Sequence, residues 1–250
     1  MVHGLGKFKE YFNELTEKYV FIGGTACDLL MNDLGLPFRA TKDLDIVLMI
    51  DDLDVSFGRR FWDFIEDGGY DYRSKSNDRA NFYRFQKPKD PAYPSMIELF
   101  CRKSEVFEIK VESRLTPIHI DDSISSLSAI LLDSNYYEEL LKGKRIVDGF
   151  SVVDIETLIL FKAKAWLDLT LRSKVDGDID SKDIKKHKND VFRLLMGADP
   201  SKRLKLNEKT LLDVNAFIDQ VKLDPPDLNN MGFKNVSLIE LTDLLWKITH

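Results

Sequence analysis

The chain has 250 residues, a net charge of -6 at pH 7 and 44% hydrophobic residues, which is enough apolar material for one large domain or two modest ones. The acidic balance excludes general affinity for polyanions, although Lys and Arg gather locally at 182–188 and 202–209. Cys27 and Cys101 offer neither a disulfide framework nor a zinc spacing, and no stretch reaches the roughly 20 apolar residues of a membrane span or resembles a signal peptide, so the expectation is a cytoplasmic protein with no membrane partner.

In chain order, Leu5, Phe8, Phe12 and Leu15 recur at helical spacing and predict an amphipathic helix over 5–18. An apolar run at 19–22 predicts a strand that stops at Gly23-Gly24-Thr25. A short helix follows, with Thr25-x-x-Asp28 read as a capping box in its Asp form and Gly35 and Pro37 closing it. Arg39, Thr41, Asp43 and Asp45 then alternate along an extended segment that enters the apolar run 46–50. Side chains two apart on a strand share a face, so Asp43 and Asp45 lie on one side and Leu44 and Ile46 on the other.

Residues 57–67 predict a second amphipathic helix ended by Gly68-Gly69. Strands are expected at 70–73, 81–86 and 95–101, with a proline-rich loop at 87–94. In the last of these strands Glu98 falls opposite Ile97 and Leu99. Residues 104–132 hold weaker strand-like runs, a short helix is expected around 136–141, and 142–150 reads as a hairpin or turn. From Asp154 the pattern is helical: one helix carries Lys162 on its apolar stripe, a polar loop is expected at 173–183, and further helices are expected at 184–196, 206–221 and 239–248. The predicted architecture is α+β: a core of mixed sheet and flanking helices over 1–153, then a helical domain over 154–250 closing the cleft.

Two carboxylates held on one face repel unless a cation lies between them, and they offer hard oxygens to Mg²⁺. A glycine turn before a helix offers backbone N–H groups to phosphate. Each feature has an ordinary explanation. Gly23-Gly24 can be a turn that needs unusual backbone angles, and Asp43 and Asp45 can be acids at an exposed strand end. Their occurrence in order within one short span points to a metal-dependent enzyme acting on a nucleotide. No dinucleotide fingerprint and no P-loop is present.

These residues resemble the polymerase-β-like nucleotidyltransferases, whose mark is a Gly-Gly or Gly-Ser turn, a short helix and a strand with an Asp-x-Asp pair. The run GGTA followed by R-x-T-x-D-L-D is similar, more narrowly, to the AbiEii-type nucleotidyltransferases, many of them toxins of bacterial type IV toxin–antitoxin pairs. The resemblance implies transfer of a nucleoside monophosphate from an NTP to a hydroxyl of RNA, tRNA in some relatives, or of protein, with Mg²⁺ as cofactor and an antitoxin as a partner to look for. On it, Asp43, Asp45 and Glu98 would be metal ligands, and Glu98 would also be able to accept the hydroxyl proton. Gly23, Gly24 and Thr25 would receive the triphosphate. Arg39 would contact phosphate or base, or pair with a nearby acid. The family's lysine after the sheet, and the basic residue and Asp on the next helix, match Lys162, Lys186 and Asp190.

Other readings stay open beside these. Lys162 can be a lysine extending from a domain seam, with Lys164 as its alternate, and Lys186 and Asp190 can be an ordinary ion pair four residues apart. His187 stands where the family has an acid. Transfer to a small hydroxylated molecule such as an antibiotic is an alternative, and so is a non-catalytic nucleotide- or RNA-binding relative.

Overall fold

The computed structural model describes residues 2–49, 55–71, 84–100, 130, 133–176 and 180–250. The elements in chain order are α1 (Leu5–Phe12), β1 (Tyr19–Ile22), α2 (Gly23–Asp33), β2 (Asp43–Leu48), α3 (Val55–Gly68), β3 (Arg84–Gln86), β4 (Met96–Phe100), α4 (Ser134–Gly143), β5 (Lys144–Val147), β6 (Phe150–Val153), α5 (Ile155–Asp176), α6 (Ser181–Leu195), α7 (Glu208–Leu223) and α8 (Leu238–Thr249). The fold is α+β, with eight helices and one mixed six-stranded sheet among the described residues. The chain divides into two compact units, Met1–Ile124 with Lys144–Asp154, and Ser125–Gly143 with Ile155–His250. Among the described residues no helix is long and apolar enough to cross a membrane.

The first unit is built on the sheet, in the order β3-β4-β2-β1-β6-β5. β1 runs antiparallel to β2 and parallel to β6, and β2 runs parallel to β4. β5 and β6 form the hairpin expected from 142–150, turning at Asp148-Gly149, both at positive φ. Strand alternation gives the sheet two different faces. Phe21, Ile46, Ile97 and Phe85 share one face and are fully buried. That face is covered by aromatic side chains of α1 and α3: Phe8 meets Phe21 at 5.0 Å between ring centroids and Phe61 meets Phe85 at 5.5 Å. Phe8 and Phe12, one helical turn apart, stack at 4.3 Å and seal α1 onto the same cluster. The opposite face carries Asp43, Asp45, Glu98, Arg84 and Gln86.

The second unit is helical. α5 is buried along Leu158, Ile159, Phe161, Ala165 and Trp166. Trp166 meets Phe217 of α7 edge-on at 5.3 Å, and Phe192 of α6 meets the same ring at 6.1 Å. α4 joins this unit through Tyr136, whose ring lies 6.0 Å from Phe161 and whose hydroxyl donates to Asp213 at 2.9 Å. Side-chain caps set three starts: Asp180 accepts from Lys182 N–H, Asn207 from Thr210 N–H, and Ser237 with Glu240 forms a reciprocal capping box.

Two local expectations are corrected. The Thr25–Asp28 capping box is not formed, because α2 begins at Gly23 and the capping position falls on Ile22, which makes no side-chain cap bond. Gly23, at φ +61°, turns the chain from strand into helix with no intervening loop. At 173–176, where a loop is expected, the chain is helical, since α5 continues to Asp176; nothing between 170 and 176 is a glycine or proline. Of the strand expected at 70–73, Asp71 makes a single bridge to Gln86. Residues 72–83, and 104–132 apart from Ile130, lie outside the described residues.

Candidate active site

The turn at Gly23-Gly24 and the strand bearing the aspartates are locked together. Ile22, the last residue of β1, is paired in register with Asp45 of β2. A Cβ built on Gly23 would fall 1.8 Å from Asp45 Oδ2, and one on Gly24 would fall 2.6 Å from Thr41 Oγ1. The glycines therefore leave room for the Asp45 carboxylate and the Thr41 hydroxyl against the start of α2. Thr25, wholly buried in the first turn of that helix, donates its hydroxyl proton to the Asp43 carbonyl oxygen at 2.6 Å. A hydroxyl has one proton to donate, so in this arrangement Thr25 ties α2 to β2.

Asp45 is paired across the parallel ladder with Glu98 of β4, and Glu98 across the antiparallel ladder with Arg84 of β3. Register partners point to the same side, so Asp45, Glu98 and Arg84 form a row over three adjacent strands. The Glu98 carboxylate is already engaged. Its Oε1 accepts from Arg84 Nε at 2.6 Å and lies 2.5 Å from a terminal guanidinium nitrogen of the same arginine. Glu98 is mostly buried, and Arg84 is the more exposed partner at 38% of its side chain. Asp43, Met96 and Gln86 form the next row on this face.

The Asp43–Asp45 pair fits a divalent cation: two hard oxygen donors, two residues apart, on one face of a strand. Among the described residues no three His, Cys, Asp or Glu side chains are gathered so as to hold a metal ion. The fit is thus to two carboxylates, with the remaining positions open to water and phosphate, which is how Mg²⁺ is commonly held.

Beside Asp43 opens a cavity of about 460 Å³ with His3, Lys42, Gln86 and Lys87 in its wall. Lys87 holds a positive φ of 52° directly after β3. Sequence spacing gives no sign of Lys42 or Lys87; for Arg84 it gives only a place opposite Phe85, and the ladder with β4 makes that the carboxylate face. Arg39 is half-buried before β2, with its guanidinium 5.5 Å from the Phe38 ring.

The remaining candidates are in the helical unit. Lys162 of α5 and Asp190 of α6 are both buried and meet at 3.3 Å, and Asp190 also lies 3.7 Å from Arg193. Lys186 is exposed. Lys164, the alternate to Lys162, lies 3.0 Å from Asp168 and 3.4 Å from Asp213. Burial pulls the Lys164 ammonium toward neutrality, but the two carboxylates outweigh it and its pKa is raised.

No protein-family model matches the chain, and neither does a curated protein sequence. Among solved structures the chain is similar to the antibiotic-resistance factor ANT(2'')-Ia, with 11% identity and a TM-score of 0.38, over 92% of this chain and 96% of that one. A likeness of that strength carries no argument about mechanism.

Proposed function

We propose that the chain is a nucleotidyltransferase of polymerase-β-like architecture that moves a nucleoside monophosphate from an NTP to a hydroxyl of RNA or protein. The observation that supports this best is the register of Ile22 with Asp45, which puts a glycine turn, a helix start and two same-face carboxylates at one point of the sheet. The acceptor oxygen would bond to the α-phosphorus as the bond to the pyrophosphate oxygen breaks, and the hydroxyl proton would pass to a carboxylate of that face. Asp43 and Asp45 would hold Mg²⁺, which when bound neutralises charge on the triphosphate. Lys42 and Lys87 give the adjoining cavity a cationic wall suited to a phosphate-rich substrate.

The assignment of Lys162 to the triphosphate rests on the resemblance alone; within the helical unit this lysine is buried against Asp190. Lys186, exposed on α6, is assigned with Asp190 to nucleotide binding on the resemblance alone. A toxin role, with an antitoxin protein as partner, rests on the resemblance of GGTA and R-x-T-x-D-L-D alone.

The test is incubation with each α-phosphate-labelled NTP, Mg²⁺ and either total RNA or total protein, comparing the native chain with Asp43→Asn and Asp45→Asn. Label transfer by the native chain that falls at least a hundredfold in both variants is expected. Equal labelling by all three proteins, or none with any NTP and either acceptor pool, would overturn the proposal.

A further inference from the structure

Glu98 has the position of a third metal carboxylate but not the chemistry of one. It is the register partner of Asp45, and a carboxylate there would complete a three-acid cluster. Yet two nitrogens of Arg84 close on its Oε1 at 2.6 and 2.5 Å, in a mostly buried setting. A charge-assisted, doubly bonded guanidinium is a strong competitor for a divalent ion, and displacing it would leave Arg84 next to added positive charge. No three-acid metal cluster occurs among the described residues, in agreement with this.

Arg84 is the complementary half. The guanidinium has five N–H donors in a planar fork, and Glu98 occupies one edge of it. The side chain is 38% exposed, on the same sheet face as Asp43 and Asp45. A pre-oriented, partly exposed guanidinium on the same face as a carboxylate pair two strands away is suited to a phosphate oxygen, since the rigid fork loses little freedom on binding.

We infer that Glu98 is a positioning residue, not a metal ligand: it fixes Arg84 to receive the triphosphate of a nucleotide whose cation is held by Asp43 and Asp45 alone. This rests on the nucleotidyltransferase reading and gives its site an asymmetric form. Two acids serve the metal, and the third serves an arginine.

Two binding measurements test it without turnover. Mn²⁺ binding, followed by the loss of the free-ion electron paramagnetic resonance signal, compares the native chain with Glu98→Gln, Asp43→Asn and Asp45→Asn. Affinity within twofold of native is expected for Glu98→Gln, and a loss of at least tenfold for each aspartate variant. Binding of an NTP with a methylene bridge between its α- and β-phosphates is then measured with Mn²⁺ present. At least tenfold weakening is expected for Arg84→Gln, several-fold weakening for Glu98→Gln, and a smaller loss for Glu98→Asp, which keeps the charge, than for Glu98→Gln. Mn²⁺ affinity falling in Glu98→Gln as far as in Asp45→Asn overturns the inference while leaving the enzyme reading intact. So does native NTP affinity in Arg84→Gln. Failure of the native chain to bind either Mn²⁺ or the analogue overturns both.

Discussion

The Asp45 carboxylate lies in the space that a side chain on Gly23 would fill: a Cβ there would be 1.8 Å from Oδ2. The glycine turn and the acid strand are therefore one steric unit. Gly23 has two reasons to be glycine, its φ of +61° and the carboxylate against it, and neither requires a bound phosphate. The turn sets where Asp45 points, and any cation or nucleotide that Asp45 serves inherits that geometry.

Gly23→Ala is expected to be the more damaging of the two glycine substitutions. Left-handed backbone costs an L-residue about 1–2 kcal/mol, and the methyl also drives Asp45 out of its place. Gly24→Ala meets chiefly the Thr41 hydroxyl at 2.6 Å, which can rotate away, so its effect on stability should be the smaller. Urea unfolding of both variants, with Mn²⁺ affinity measured alongside, checks the order. Equal Mn²⁺ affinity in Gly23→Ala and the native chain would contradict the link to Asp45.

Thr25→Val keeps the side-chain shape and removes the 2.6 Å bond to the Asp43 carbonyl. The expected loss of stability is about 1 kcal/mol, the usual net worth of such a bond. Thr25→Ser keeps the donor and should stay closer to native. If Thr25 also binds triphosphate, Thr25→Val will weaken NTP binding by more than its effect on stability explains; if it only joins α2 to β2, NTP affinity will follow the folded fraction.

Much of this geometry is legible in the sequence where alternation decides it. Spacing alone placed Asp43 and Asp45 on one face, and Glu98 opposite Ile97 and Leu99. What spacing cannot give is the neighbour across the ladder. Nothing local to MIELF says that β4 lies beside β2, or that Arg84 will face Glu98, because strand order joins segments far apart in the sequence. The start of α2 was misplaced for a related reason. Thr25 reads as a cap in isolation, whereas a glycine at positive φ lets the helix begin earlier and turns the hydroxyl toward β2. Likewise helical spacing suggests Lys186 as the partner of Asp190, whereas Asp190 forms ion pairs with Lys162 of α5, which spacing cannot reveal, and with Arg193.

Alkaline pH should destabilise the protein through its tyrosines. Burial, first, and then the Asp213 carboxylate push the Tyr136 phenol well above its ordinary value of 10, and burial does the same for Tyr19. A raised folded-state pKa means that above pH 10 the unfolded chain has lost protons that the folded chain keeps. Stability is then fully present below pH 10 and falls as pH rises, by about 1.4 kcal/mol per pH unit for each such tyrosine. Urea unfolding between pH 8 and 11 measures the slope. Tyr136→Phe should make it shallower by one tyrosine's share, and an unchanged slope would show that Tyr136 ionises normally.

Lys162 and Asp190 separate stability from chemistry. Each is almost wholly buried, so removing Asp190 leaves the Lys162 ammonium without its carboxylate in the core of the helical unit, whereas removing Lys162 leaves Asp190 with Arg193 at 3.7 Å. Asp190→Leu should cost about 3–5 kcal/mol and Lys162→Met less, while the double variant should recover most of the Asp190→Leu loss, because a hydrophobic pair then replaces the buried ion pair and Arg193 is partly exposed. Thermal and urea unfolding of the four proteins gives the coupling. Label transfer from NTP by the refolded double variant then decides the functional question. If Lys162 neutralises the triphosphate, the double variant is stable and inactive, with the loss visible as weakened NTP binding at unchanged Mn²⁺ affinity. If the pair only holds α5 to α6, activity returns with stability. Recovery of both would remove Lys162 and Asp190 from the candidate site and leave Asp43, Asp45 and Arg84 as the side chains on which the enzyme reading stands.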